Sequence, residues 1–162
     1  HAWMPLGKHI VIIGGELVGV ELAEFLAERG RTVTVVDETP RFGAGLPIVR
    51  RMRLLAELRE HGVALQASAQ DIKIEADAVS FQDAAGDAQR VQAQQVIVAK
   101  GATGDSSLAE LLRGSGFDVY EAGDCTGVGY IEGAIRGAQT VVDLINAGVP
   151  IDTAAFAKEG TA

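Results

Sequence analysis

The segment that most constrains this chain is KHIVIIGGELVGVELAEFLAERGRTVTVVDE, Lys8 to Glu38. His9–Ile13 is a continuous apolar run with β-branched residues, the pattern of a buried parallel strand. Glycines follow, and from Leu17 the period becomes helical, with Val18, Leu22, Phe25 and Leu26 on one face and Gly30 as the stop. Val33–Val36 reads as a second strand, with Asp37 at its carboxyl end. A strand, a glycine turn, a helix and an acid-tipped strand make a βαβ unit. In the pattern G-x-G-x-x-G each glycine has a separate duty. Gly14 makes the tight turn, Gly19 lets the helix approach the sheet, and the middle position lets backbone approach a pyrophosphate. Here the middle position is Glu16.

That replacement opens two readings. The first-turn amides and the helix dipole favour an anion. Glu16 can supply that anion itself, as an acid stabilising the helix start. If it stays beside a pyrophosphate instead, a like-charge pair at ~5 Å costs about 3 kcal/mol at an effective dielectric of ~20, roughly a hundredfold in affinity. Rotation into solvent relieves most of it. An Asp at the end of the second strand can accept both ribose hydroxyls of an adenosine, and Asp37 with Glu38 repels a 2′-phosphate. Arg41 is near, but no arginine follows immediately. The pattern favours NAD over NADP; the plainer alternative makes Gly14 and Gly19 structural and Asp37 a solvated loop acid.

Further along, Thr39–Leu46 is a loop marked by Pro40, Gly43 and Gly45. Pro47 starts a helix striped by Ile48, Met52, Leu55 and Leu58 until Gly62, and Val63–Leu65 is a short third strand. Asp71–Glu75, Val79–Phe81 and Arg90–Gln92 alternate in the manner of a small antiparallel meander, with a hairpin turn at Asp83–Asp87. Gln95–Ala99 is again a buried strand. The Gly-, Ser- and Asp-rich stretch Gly101–Gly116, around a short amphipathic Leu108–Leu112, is the candidate domain boundary. Asp118–Ala122 reads as a final strand. Ile131, Ile135, Ala138, Val142 and Ile145 then define a helix with one apolar core face, ending at Gly148 and Pro150. The last dozen residues carry little signal.

The second motif is VYEAGDCTGVGYIEGAIRGA, Val119 to Ala138. Gly123 permits close approach to a ligand, Asp124 can accept from a ribityl hydroxyl, and the amides near Tyr130 and Ile131 can face a flavin ring. An ordinary strand–turn–helix accounts for the same residues. Cys125 reads as a packed thiol, since nothing basic neighbours it in sequence.

The totals exclude several classes. A formal net charge of −8 with no basic stripe argues against nucleic acid. No apolar run approaches the ~18 residues of a membrane helix. One cysteine leaves no internal disulfide, C-x-x-C pair or cysteine-held cluster, and the three histidines, His1, His9 and His61, show no metal-ligand spacing. A cytoplasmic, reducing compartment is expected, and the opening on His1 reads as a piece of something longer.

The two motifs in this order, separated by QVIVAKGA, resemble the carboxyl-terminal, pyridine-nucleotide/disulfide-oxidoreductase-like module of the NADH:flavin oxidoreductase family, the 2,4-dienoyl-CoA reductase and trimethylamine dehydrogenase kind. The resemblance runs from about Lys8 to Ile145. It implies a Rossmann-like three-layer α/β fold with a central parallel sheet and a small antiparallel meander. It implies a NAD(H)-binding domain at 7–102, the return segment of an FAD-binding domain at 103–150 and a tail at 151–162. Gly14, Gly19 and Asp37 match the NADH fingerprint of that family, and Gly123 and Asp124 its second FAD motif; the full set of candidate cofactor-binding residues is Gly14, Gly15, Glu16, Leu17, Val18, Gly19, Asp37, Glu38, Gly101, Gly123, Asp124, Tyr130 and Ile131. Glu16 and Lys100 depart from the family pattern. The first half of the FAD site, the flavin barrel and its cluster cysteines are not in this sequence, so FAD is expected only with the missing parts of a parent chain. Those parts are the expected partners, with a homodimer of the fragment as a second candidate. No residue reads as an acid–base catalyst, and the isolated chain is expected to be inactive; the cofactors carry the redox chemistry. Two other readings stay open: a degenerate Rossmann-like scaffold or ADP-binding interaction domain, and an S-adenosylmethionine-dependent methyltransferase. The spacing of Gly14, Gly19 and Glu21, together with the Gly123–Asp124 motif, argues against the last.

Overall fold

A computed structural model describes residues 5–148 of the chain. These fall into two compact units that divide between Gly101 and Ala102.

In the first unit, strands β1 (His9–Ile13), β2 (Thr32–Val36), β3 (Ala64–Gln66) and β7 (Gln95–Val98) form a wholly parallel sheet in the order β3-β2-β1-β7. Strands β4 (Gln70–Ile74), β5 (Ala78–Gln82) and β6 (Ala88–Gln92) form a separate antiparallel sheet. Helices α1 (Leu17–Ala27) and α2 (Ile48–Glu60) complete the unit. The three layers follow from strand alternation. Ile10, Ile12, Val33 and Val35 point to the helices, where they join Val20, Ala23, Leu26, Leu54 and Leu58. Val11, Ile13 and Val36 point the other way, onto Val79, Phe81, Ala69 and Ala93 of the meander side. Both faces of the parallel sheet are covered, which is why its strands read as unbroken apolar runs. The fold is the expected one, with element ends shifted by one or two residues.

Two expected helix faces are corrected. On α1 the buried residues are Gly19, Val20, Ala23 and Leu26, whereas Val18 and Phe25 are exposed. The close approach at Gly19 decides this: a Cβ there would lie 1.9 Å from the Gly14 carbonyl oxygen. The small side of the helix must therefore face the sheet. Phe25 instead carries the Arg29 guanidinium 3.5 Å above its ring centre. On α2 the buried pair is Leu54 and Leu58, while Ile48 and Met52 are exposed. The later turns of α2 enter the core through Leu54 and Leu58, and its first turn is tied to α1 by Arg50 Nη2 to Glu24 Oε2 at 2.8 Å.

The second unit contains α3 (Ser107–Gly114), a 3₁₀ turn at Asp124–Thr126 and α4 (Tyr130–Ala147). The expected strand at Asp118–Ala122 is absent. A strand exists only where a neighbour takes its N–H and C=O groups, and no described strand pairs with this segment. Arg113 takes its place as anchor, donating to the Val119 carbonyl at 3.3 Å and pairing with Glu121 at 2.6 Å. The apolar face of α4 is also not core: Ile131, Ile135, Val142 and Ile145 are all exposed, Ile131 at 81%. The half-buried side carries Gly133, Ala134, Gly137, Val141 and Leu144. Gly137 fits against the Gly123 turn, where a Cβ would meet the Gly123 nitrogen at 3.4 Å. The helix ends at Gly148 in the left-handed conformation, as expected. Pro150 and the tail at 151–162 lie outside the described residues.

Candidate functional site

The carboxyl ends of β1, β2 and β7 meet at one crevice of about 120 Å³, lined by Gly14, Glu16, Asp37, Thr39, Ala99 and Lys100. This is where ligands collect in open α/β sheets. Gly14 turns out of β1 at φ +115°, and a Cβ on it would lie 2.2 Å from the Ala99 carbonyl oxygen. Only glycine fits that turn, and its amide donates to the Val36 carbonyl at 2.9 Å. The turn is thus fixed to both flanking strands.

Asp37 organises the site. It is 3% exposed and both carboxylate oxygens accept main-chain hydrogen bonds, one from the Gly15 amide and one from the Thr39 amide at 2.6 Å. Burial alone would push its carboxyl up. The hydrogen bonds from Thr39 and Gly15, with the charge of Lys100 nearby, outweigh burial and hold it below the usual aspartate range. The next residue, Glu38, is exposed and pairs with Lys100, Oε2 to Nζ at 2.9 Å.

Glu16 sits at the N-cap of α1 in extended backbone (φ −75°, ψ −168°), and its carboxylate makes no capping hydrogen bond. It lines the crevice instead, and its Oε2 lies 3.8 Å from where a Cβ on Gly101 would stand. Gly101 itself turns at φ +78°. Leu17 gives its amide to the Ala44 carbonyl at 3.0 Å, and the Gly15 carbonyl accepts from Gly43 at 2.6 Å. The loop after β2 is therefore stitched across the helix start. Val18 is on the outer face of α1, and Gly19 is buried against Gly14.

Three participants were not among the expected site residues. Thr39 supplies an amide to Asp37. Phe42 is buried against Gly15, where a Cβ would come within 2.3 Å of its Cδ1. Lys100 stood out only as a departure from a family pattern. An isolated aromatic in a polar Gly- and Pro-marked loop was the signal that could have found Phe42.

The second group lies in the other unit. Gly123 has φ +82°, and Asp124 Oδ1 accepts from the Gly129 amide at 3.0 Å. Asp124, Tyr130, Ile131 and Ala134 line an open hollow of about 510 Å³ at the start of α4. Tyr130 holds φ +57°, a conformation that non-glycine residues seldom adopt. Gly104 approaches this turn closely: a Cβ there would lie 2.3 Å from the Cys125 carbonyl oxygen. Cys125 Sγ donates to the Ala122 carbonyl at 3.3 Å. Among the described residues no cluster of His, Cys, Asp and Glu could hold a metal, and no helix is long and apolar enough to cross a membrane.

A parallel sheet whose first glycine turn opens a helix, with a buried acid tipping the next strand, defines a Rossmann-like α/β module of the nucleotide-binding class. Residues 1–143 match the model of the pyridine nucleotide-disulphide oxidoreductase family, and the chain belongs to that family. Similar proteins include an NADH oxidase from Thermoanaerobacter brockii, 28% identical over 79% of this chain and 20% of the relative. They also include a nitric oxide reductase FlRd-NAD(+) reductase from Vibrio vulnificus, 32% identical over 76% of this chain and 32% of the relative. Among solved structures, a 2-naphthoyl-CoA reductase complex superposes with a TM-score of 0.73 at 27% identity, covering 83% of this chain and 20% of the other. The chain spans a fifth to about a third of the length of these relatives.

Proposed function

We propose that this chain is the nucleotide-binding module of an FAD- and NADH-dependent flavoprotein oxidoreductase. Residues 7–102 are its NAD(H)-binding domain and 103–150 the return segment of an FAD-binding domain. The observation that carries this reading is the crevice at Gly14 and Asp37, at the carboxyl end of the parallel sheet. The names of the relatives support it, an NADH oxidase and an NAD(+) reductase among them. The finer assignment, to the NADH:flavin oxidoreductase kind that includes 2,4-dienoyl-CoA reductase, rests on the sequence resemblance from Lys8 to Ile145.

At about 120 Å³ the crevice is smaller than the ~300 Å³ where small-molecule pockets begin, so it takes the pyrophosphate end and the rest of the dinucleotide lies along open surface. Gly14, Glu16 and Lys100, which line the crevice, would border the phosphates, Gly19 holds the helix against the Gly14 turn, and Glu38 is the exposed acid placed to meet a ribose. Gly123, Asp124 and the α4 start receive FAD once the parent supplies the other half of that site. When bound, the two cofactors supply hydride transfer from nicotinamide to flavin. The exposed Ile131–Ile145 face of α4 belongs under the rest of the FAD domain.

A second reading, a scaffold or ADP-binding domain that no longer uses NADH, is favoured by one feature. Glu16 and the Thr39–Leu46 loop occupy the helix start where a pyrophosphate would sit. Calorimetric titration of the full chain with NADH, NADPH, ADP and S-adenosylmethionine separates the readings. The first predicts NADH binding ahead of NADPH; binding of ADP alone supports the second.

A further inference from the structure

We propose that Lys100 is the counter-charge to Glu16, the cation that lets a dinucleotide pyrophosphate enter a crevice whose middle fingerprint position carries a carboxylate. This rests on the NAD(H) reading above and assigns the phosphate-side specificity of that site.

β1 lies between β2 and β7 in the sheet. Glu38 follows β2 and Lys100 follows β7, so their 2.9 Å ion pair reaches across the carboxyl end of β1, where Gly14 begins its turn. With adjacent strands ~4.8 Å apart, the pair spans about two strand spacings over the crevice. Lys100 is carried there by fixed backbone. The Ala99 amide donates to the Ile13 carbonyl at 2.7 Å, and Gly101 turns the chain away at φ +78°.

Charge makes the position consequential. Glu16 and Asp37 line the crevice and Glu38 stands at its edge: three carboxylates around a single ammonium. Asp37 is occupied by the Gly15 and Thr39 amides. Glu16 is not, and its carboxylate lies beside Gly101, next in sequence to Lys100. Without Lys100 the charged side chains lining the crevice would all be carboxylates. The Lys100–Glu38 pair is exposed on both sides, 38% and 62%, and such pairs are weakly held. A pyrophosphate carries more charge than one carboxylate. The flexible lysine stem lets the ammonium leave Glu38 for it, and Glu38 is released toward the ribose. Glu16, at the middle glycine position, and Lys100, before Gly101, are thus opposite charges at one crevice.

The test is NADH calorimetry on the full chain as wild type, E16Q, K100Q, K100R and E16Q/K100Q, each confirmed folded by circular dichroism. E16Q should tighten NADH about tenfold and K100Q should weaken it about tenfold. The double variant should return to within about threefold of wild type, and K100R should match wild type. Both single shifts should shrink as ionic strength rises from ~0.05 M to ~0.5 M. K100Q binding NADH as well as, or better than, wild type, or E16Q/K100Q binding it as well as, or better than, E16Q, overturns the counter-charge and leaves the NAD(H) reading standing. Absence of NADH binding in all five folded proteins overturns the NAD(H) reading and the counter-charge with it.

Discussion

The Asp37 carboxylate accepts a hydrogen bond from the Gly15 amide, joining the tip of β2 to the glycine turn 22 residues earlier. With the Thr39 amide on its other oxygen, this acid is a clamp on the turn before it is anything to a ligand. Replacing it with Asn puts an NH₂ group against one of two N–H donors. Asp37→Asn should therefore destabilise the chain by about 2 kcal/mol, because a buried charge-assisted hydrogen bond is lost and a donor is left unpaired. Urea unfolding of the two proteins at neutral pH checks it.

The same clamp sets a pH dependence. The folded-state pKa of Asp37 is lowered, so the folded protein binds its proton less readily than the unfolded chain, whose aspartates titrate near ~3.9. The stability this contributes is fully present above that value. It is lost as pH falls through that value to the folded pKa. Unfolding free energy measured down this range should drop more steeply for wild type than for Asp37→Asn; parallel curves would contradict the clamp.

Two glycines should respond oppositely to alanine. A Cβ on Gly19 would collide with the Gly14 carbonyl at 1.9 Å, whereas a Cβ on Gly133 meets nothing within 4 Å. Gly19→Ala should cost about 3 kcal/mol or more, since backbone must move. Gly133→Ala should stabilise by about 0.5–1 kcal/mol, the helix preference of alanine over glycine. Thermal melts of both variants decide.

These glycines also explain what the sequence could and could not disclose. The four parallel strands, the meander and the Gly14–Asp37 site were legible, because period-2 alternation and buried apolar runs depend on local pattern and because Gly14 needs a positive φ. Helix faces were not. In α1 and α4 the large residues Val18, Phe25, Ile131 and Ile135 look like core, yet the inward side is the one that carries Gly19 or Gly137. Close backbone approach outranks side-chain size, and a hydrophobic stripe gives a glycine no weight. The expected strand at Asp118–Ala122 failed for a different reason: pairing is non-local, and no described strand accompanies it. The Asp37 clamp was illegible because Thr39 and Gly15 contribute only backbone.

The isolated chain should be colourless after purification. On the proposed reading Gly123 and Asp124 are half of a bipartite FAD site, and the hollow at Asp124, Tyr130 and Ile131 is open to solvent. Its exposed isoleucines on α4 should instead drive concentration-dependent self-association, at ~25 cal/mol per Å² of apolar surface covered. Sedimentation of wild type and Ile135→Lys, with a visible absorbance spectrum of the same samples, reads both. A yellow protein contradicts the first expectation, and a strictly monomeric wild type contradicts the second.

The most direct test of the nucleotide-module account is NADH calorimetry on wild type and Glu16→Gly at one ionic strength. Glu16 lines the crevice, so restoring glycine removes about one like-charge interaction and reopens backbone to the pyrophosphate. Wild type should bind NADH weakly and Glu16→Gly about tenfold to a hundredfold more tightly, with NADH still preferred over NADPH because Asp37 and Glu38 are unchanged. Failure of the folded Glu16→Gly protein to bind NADH would contradict the account.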